Sequence, residues 1–197
     1  MNNNIEYYNQ HAEEVCKLYD DLTFEQVHRE WLHFIPKEGA VLDIGAGSGR
    51  DARYFASKGL TTYAVEPASD LLEKAKSYSS SNKIQWFRDQ LPTISSIFKL
   101  ERQFDLILLS AVWMHLSQNE REASIANAKK LLKDAGIIVL TLRYGNFSDD
   151  RSSFEVSVEE IKTLAYANRL DVVYLSELEN DQLGRNDVVW QTVVLRK

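Results

Sequence analysis

Apolar and polar positions along the chain fall into two alternating rhythms. Short continuous apolar runs, rich in β-branched residues, have the length of buried strands, while the longer stretches between them repeat their apolar positions at helical spacing. Ala40-Val41-Leu42-Asp43-Ile44 is the first such run, and Asp51 to Lys58 is the first helix, stopping at Gly59. A strand over Thr61 to Glu66, a helix over Ala68 to Ser79 and a strand over Lys83 to Phe87 follow, with a turn at Ser77 to Ser81. A weaker helix covers Ile94 to Leu100, and Phe104 to Ser110 is the most apolar strand. An amphipathic helix over Glu120 to Lys133 stops at Gly136 before the strand Ile137 to Leu142. A helix over Val158 to Asn168 and strands over Leu170 to Leu175 and Val188 to Leu195 complete the pattern.

Alternating β and α with strands apolar on both faces predicts an α/β fold, a Rossmann-like open and mostly parallel sheet of seven strands between helical layers. No helix separates the last two strands, so the seventh is expected to run antiparallel. Residues 1–35 have helical period, with Phe24, Val27, Trp31 and Leu32 on one side, and form an N-terminal cap on the α/β core over 36–197. With neither repeat nor linker, 1–197 is expected to be one domain. Ligands in such a sheet bind beyond the carboxyl ends of the strands.

Composition narrows the class. Of 197 residues 44% are apolar and 26% charged, the balance of a globular chain large enough to stay folded without disulfides or a structural metal. Cys16 is the only cysteine, and the histidines and acids form no ligand cluster at recognised spacing, so no metal is expected. The opening Met1-Asn2-Asn3-Asn4-Ile5-Glu6 lacks the basic and apolar regions of an export signal, and the apolar stretch Leu106 to Leu116 is far below the ~18 residues of a membrane span. A cytoplasmic protein without membrane contact is expected. The net charge of −6 disfavours a phosphate backbone, and DNA is not an expected partner.

The strand Val41 to Ile44 runs into Gly45-Ala46-Gly47-Ser48-Gly49 and then a helix, a turn that lets a ligand approach the backbone closely at a helix N-terminus. Glu66 ends the next strand, 23 residues beyond Asp43, where an acid accepts ribose hydroxyls in nucleoside-binding α/β folds. A dinucleotide site and an adenosine-type cofactor without pyrophosphate share these features. The dinucleotide fingerprint calls for a small residue at position 50, and Arg50 stands there.

Asp43-Ile44-Gly45-Ala46-Gly47-Ser48-Gly49 resembles the first motif of the class I S-adenosylmethionine-dependent methyltransferases. The resemblance runs over residues 38–142, through Thr62-Tyr63-Ala64-Val65-Glu66-Pro67, Asp89, Phe104 to Ser110, and Leu131-Leu132-Lys133-Asp134-Ala135-Gly136. It implies strand order 3-2-1-4-5-7-6 with strand seven antiparallel, S-adenosyl-L-methionine as cofactor and S-adenosyl-L-homocysteine as product. It also implies a cofactor site of Gly45, Ala46, Gly47, Gly49 and Arg50, with Asp43 orienting the amino group, Glu66 and Pro67 at the ribose, Asp89, Gln90 and Leu91 at the adenine, and Ser110 after strand four. Tyr8-Asn9-Gln10-His11-Ala12 and Tyr19-Asp20 resemble the segment that folds over the cofactor, with the tyrosine hydroxyls near the methionyl carboxylate.

Methyl transfer from a sulfonium is an in-line displacement in which positioning removes much of the barrier, and a base is useful only when the acceptor must lose a proton. His115, just beyond strand four, is the candidate base and His11 a weaker second, whereas His28 and His33 on the N-terminal segment have no expected chemistry. The loop Ser110-Ala111-Val112-Trp113 lacks the Asn/Asp-Pro-Pro-Tyr signature of the adenine-N6 and glutamine-N5 enzymes. The lone Cys16 argues against cytosine-C5 and arsenite chemistry. Arg143, Arg151 and Arg185 are expected on one rim, where guanidinium forks bind carboxylates and phosphates, so a small anionic acceptor flanked by Trp113 and Tyr144 is one expectation. A protein or RNA acceptor and a non-catalytic cofactor-binding module are the alternatives.

Overall fold

A computed structural model of the chain describes residues 3–80 and 83–197, so the expected turn at Ser77 to Ser81 ends outside the described residues. The N-terminal segment folds as α1 (Asn3–Gln10), α2 (Ala12–Asp20), α3 (Phe24–His28) and a 3-10 turn over Arg29–Phe34. Then come β1 (Ala40–Ile44), α4 (Arg50–Ser57), β2 (Thr61–Val65), α5 (Ser69–Ser77), β3 (Ile84–Phe87), α6 (Ser95–Phe98) and β4 (Phe104–Leu109). After a 3-10 turn over Trp113–His115 the chain continues through α7 (Gln118–Leu131), β5 (Leu132–Tyr144), α8 (Val158–Ala167), β6 (Asp171–Leu175), β7 (Glu179–Asn180) and β8 (Val189–Arg196).

The strands form one open sheet in the order β3-β2-β1-β4-β5-β8-β6, with β7 paired to β8. β3, β2, β1, β4 and β5 pair in parallel, and β8 runs antiparallel to β5 and β6. The expected seventh strand is therefore β8. The additional β7 has two residues, too short to leave a period in the sequence. β5 is also longer than its apolar run, because Leu132 pairs with Phe104 before an irregularity in register and Arg143 and Tyr144 pair with Trp190 and Val189. α7 starts earlier than its apolar period indicates, where Ser117 and Glu120 form a capping box that satisfies otherwise unpaired backbone donors.

Successive strand residues face opposite sides of the sheet, which gives two cores. Leu42, Ile107, Ile138 and Leu140 pack with Ile125 and Ile161 on one side. Val41, Leu106, Leu108 and Val139 pack with Phe55, Phe24 and Trp31 on the other. The N-terminal cap is thus anchored in the second core. Phe24 stacks on Tyr54 with ring centroids 3.8 Å apart, and the Trp31 indole N–H donates to Nδ1 of His28 at 3.1 Å. Indole nitrogen is only a donor, so the His28 proton sits on Nε2 and is donated to Asp51 Oδ2 at 2.8 Å, tying the cap to α4. Val27, expected on the same apolar side, lines a cavity described below. No helix among the described residues is long and apolar enough to cross a membrane.

Because Trp31 is fully buried, Trp31→Ala removes both its volume and the His28 donor, and is expected to cost about 3–5 kcal/mol of unfolding free energy. Urea unfolding followed by circular dichroism checks this; a change under about 1 kcal/mol would show that the cap does not share the core's cooperativity.

Candidate active site

The site begins where β1 ends. Gly45 and Ala46 donate their N–H groups to the carbonyl of Val65 at 2.8 and 2.9 Å, which bends the chain back across the end of β2. Gly45 has φ +75, and a Cβ there would meet Val112 Cγ2 at 2.4 Å, so a side chain is excluded both by backbone conformation and by space. Gly47 has φ +57 with the edge of the Tyr19 ring 3.4 Å from where its Cβ would lie, so Tyr19 of the cap packs closely on the turn. The turn opens into α4, whose Arg50 donates to Asp51 Oδ1 at 2.7 Å and to the Tyr19 carbonyl at 3.2 Å. Ser48 and Arg53 both donate to Asp20, which holds the end of α2 against the turn.

Glu66 lies at the centre, buried, with one carboxylate oxygen accepting from Gly47 N and the other from Ala68 N, each at 2.9 Å. Burial pushes its carboxyl up to about 7, against the pull of these two N–H donors. Asp43 is buried beneath the turn beside Asp51 and Glu66; burial and those neighbouring acids raise its carboxyl well above the usual range, and its Oδ2 has no hydrogen-bond partner. It lines neither of the two cavities that flank the turn.

The first cavity runs from Glu66 and Pro67 to Asp89, Gln90 and Leu91. Both Asp89 oxygens are engaged, Oδ1 by Gln90 N at 2.8 Å and Oδ2 by the amide and hydroxyl of Ser96 at 2.7 and 2.6 Å. The second cavity lies on the other side of the turn and is lined by Thr141, Arg143, Arg151, Arg185 and Trp190. Tyr8, Tyr19, Gly45, Gly47, Ser110 and Ala111 line both, so the two spaces meet there. Ala111 has φ +55, a left-handed conformation that costs a non-glycine residue energy and is held by its N–H bond to Thr141 Oγ1 at 2.8 Å.

His115 faces the first cavity in a closed network. Asn4 accepts the Ser152 N–H at 2.8 Å and donates to the Ser152 carbonyl at 2.9 Å, which fixes its amide orientation. The same amide nitrogen lies 2.9 Å from His115 Nδ1, closer than the Ser152 carbonyl at 3.4 Å, so Nδ1 accepts and the ring proton resides on Nε2, 3.1 Å from the Tyr8 hydroxyl. Burial lowers the His115 imidazole to about 4, helped by the positive charges of Arg151 and Arg143. The histidine expected to act as a base is therefore neutral and engaged at both nitrogens. His11 stacks on Tyr7 and bonds its backbone carbonyl.

The acceptor-side residues divide. Arg143, Arg151 and Arg185 all line the second cavity. Trp113 and Tyr144, expected to flank an acceptor, do not line it. The 3-10 turn points the Trp113 ring inward, fully buried in the first core, and Tyr144 donates to Gln191 Oε1 at 2.9 Å against the same core. Trp190, Phe147 and Met114 stand in their place. The sequence marks the loops after β4 and β5 but not which of their side chains turns to the cavity, so Met114 and Phe147 were missed beside Trp113 and Tyr144, and Trp190 lies within β8, outside those loops. One signal was available: Thr141 and Arg143 interrupt the apolar β5 with a period of two, and they pair with Thr192 and Trp190 of β8.

The comparisons with known proteins agree with this geometry. A family described as a methyltransferase domain matches residues 42–138. A protein of Bacillus mycoides named as an uncharacterized methyltransferase is 25% identical over 175 residues, covering 84% of this chain and 72% of its own. Among solved structures, an S-adenosylmethionine-dependent methyltransferase of Mesorhizobium loti superposes with a TM-score of 0.71 at 12% identity, covering 90% of this chain and 99% of that one. Magnesium protoporphyrin IX methyltransferase of Synechocystis, solved with bound S-adenosylmethionine, gives 0.64 at 13% identity over 96% of this chain and 79% of its own. At these identities the structures establish a shared fold. The chain is a class I S-adenosylmethionine-dependent methyltransferase.

A histidine-selective NMR titration is expected to show one imidazole with a midpoint of about 4 that disappears in His115→Asn. A midpoint in the range of free histidine, near 6.5, would restore His115 as a candidate base.

Proposed function

We propose that the chain transfers the methyl group of S-adenosylmethionine to a small anionic molecule and releases S-adenosylhomocysteine. The observation that carries this reading is the meeting of two concave cavities at the glycine turn, one edged by Glu66 and the other by arginines. The residues fit the cofactor. Gly47 lines both cavities without a side chain, which lets a ligand lie against the backbone, and Glu66 keeps lone pairs for two ribose hydroxyls after accepting its two N–H bonds. Pro67 and Leu91 offer an apolar wall to the adenine, and the engagement of Asp89 by Ser96 leaves Gln90 the better placed to read the adenine edge. Tyr8, Tyr19 and Arg50 line the second cavity beside the turn, at the end this reading gives to the methionyl group, whereas Asp43 lies buried beneath the turn and outside both cavities.

When bound, the cofactor supplies a methyl group on a positively charged sulfur, which keeps the bonding electron pair as the methyl leaves. The chain contributes alignment: the turn holds one reactant, the second cavity holds the other, and both are removed from water under the N-terminal cap. His115 supports Tyr8 in this reading and takes no proton from the acceptor. Trp113 lies in the core and leaves the second cavity open, which favours an enzyme over a silent binding module. The concave, capped cavity and the carboxylate partners of Arg151 and Arg185 favour a small acceptor over RNA.

Isothermal titration calorimetry with S-adenosylhomocysteine tests the cofactor site. Glu66→Gln exchanges charge-assisted hydrogen bonds for weaker ones and is expected to weaken binding by about 10- to 100-fold. Wild-type affinity should rise between pH 6 and 8 as the Glu66 carboxyl ionises around 7, and the variant should not follow. In the ligand-free protein the sign reverses: the native carboxyl stays protonated up to about 7 whereas the unfolded one ionises near 4.5, so Glu66 makes stability fall as pH rises through that window. Glu66→Gln should flatten the fall. Equal affinity in the variant would overturn the ribose assignment. Transfer of tritiated methyl from S-adenosylmethionine in a cell extract should place label in small anionic molecules, and label in protein or RNA would overturn the acceptor class.

A further inference from the structure

Charged side chains crowd the second cavity, but their charges are mostly spent on one another. Arg50 pairs with Asp51 at 2.7 Å, Arg151 with Asp149 at 2.7 Å, Arg185 with Asp181 at 2.5 Å, and Glu179 with Arg29 at 2.8 Å. Asp181 has no capacity left to share, since its two oxygens also accept from Leu183 N, Arg185 N and the Trp190 indole. Arg143 differs. It is buried, lines the cavity and has no carboxylate within ion-pair distance among the described residues. Its guanidinium donates to the carbonyls of Gly145 and Asn146, its plane lies 4.3 Å from the Phe147 centroid, and its buried Nε–H has no partner. Three of its five N–H donors are thus unassigned, in a place where an unmet donor is costly.

We propose that the acceptor is a monoanionic carboxylate with a compact apolar body, held by Arg143. The proposal rests on the reading of this cavity as the acceptor site. One uncompensated guanidinium balances one negative charge. A phosphate dianion would bring a second charge that Arg185 and Arg151, already neutralised by Asp181 and Asp149, do not balance. The cavity also presents apolar surface: Met114, Leu22 and Trp190 line it and can cover a ring or short chain, and Phe147 packs on the guanidinium itself. Specificity for the charged group then lies in β5, while the segment leading through β7 to β8 shapes the body of the pocket.

The test uses the full chain saturated with S-adenosylhomocysteine, titrated calorimetrically at pH 8 with benzoate, hexanoate, phenyl phosphate and benzamide. The carboxylates are expected to bind at least about tenfold more tightly than phenyl phosphate or benzamide, the discrimination of one charge-assisted pair. Arg143→Met should abolish that preference without changing S-adenosylhomocysteine affinity, which also reports that the variant is folded. Arg143→Lys, which keeps the charge and loses the fork, should retain part of the preference and carries the test should the Met variant not fold. Phenyl phosphate binding as tightly as the carboxylates would overturn the monoanion inference and leave an anionic acceptor standing. Benzamide binding equally would overturn the anionic reading itself. Failure of both carboxylates to bind, or their unchanged binding to Arg143→Met, would overturn the assignment to Arg143.

Discussion

Glu66 accepts two backbone N–H groups that belong to different parts of the chain, Gly47 from the turn after β1 and Ala68 from the entry to α5. A buried carboxylate is costly unless such donors surround it, so these contacts stabilise the acid and the two chain crossings together. The Val65 carbonyl, one residue earlier, receives Gly45 and Ala46. Two successive residues, Val65 at the end of β2 and Glu66 just after it, thus accept from Gly45, Ala46 and Gly47 of the turn after β1. The left-handed Gly45 and Gly47 and the packing of Tyr19 on the turn accompany that arrangement.

Around this centre the N-terminal helices form a roof. Among the contacts that hold the roof in place are Asp20 on Ser48 of the turn and Arg53 of α4, the Trp31–His28–Asp51 chain into α4, and Asn4 on the backbone of Ser152. Together they join the cap to the glycine turn, to α4 and to the loop after β5, so the cap is registered at several points. The Asn4 contact also sets the tautomer of His115, and through it the environment of the Tyr8 hydroxyl. A histidine that in isolation would titrate near neutral pH becomes, in this setting, a neutral link between the roof and the loop after β4.

Much of this was legible in the linear pattern. The alternation of apolar runs with helical segments predicted the sheet and its antiparallel last strand, and the spacing of the glycines and Glu66 marked the turn that the two cavities flank. Boundaries were less well marked. α7 starts at a capping box that depends on two residues rather than on a period, and β7 exists only because β8 passes beside it. Trp113 was misplaced because a tryptophan after a strand can turn either way, and the choice was made by space in the core beneath the 3-10 turn.

The chain alone determined what local chemistry can encode: which segments are strands, where backbone must take a left-handed turn, and which acid ends the second strand. Charge pairing was decided by the tertiary structure. Arg143, Arg151 and Arg185 look alike in sequence, yet Asp149 lies two residues from Arg151 and Asp181 four residues from Arg185, each close enough to fold back as a partner. Arg143 meets two carbonyls and an aromatic ring in place of a carboxylate, at the edge of the second cavity. Electrostatic identity depends on distance and desolvation, and those exist only after the strands are side by side.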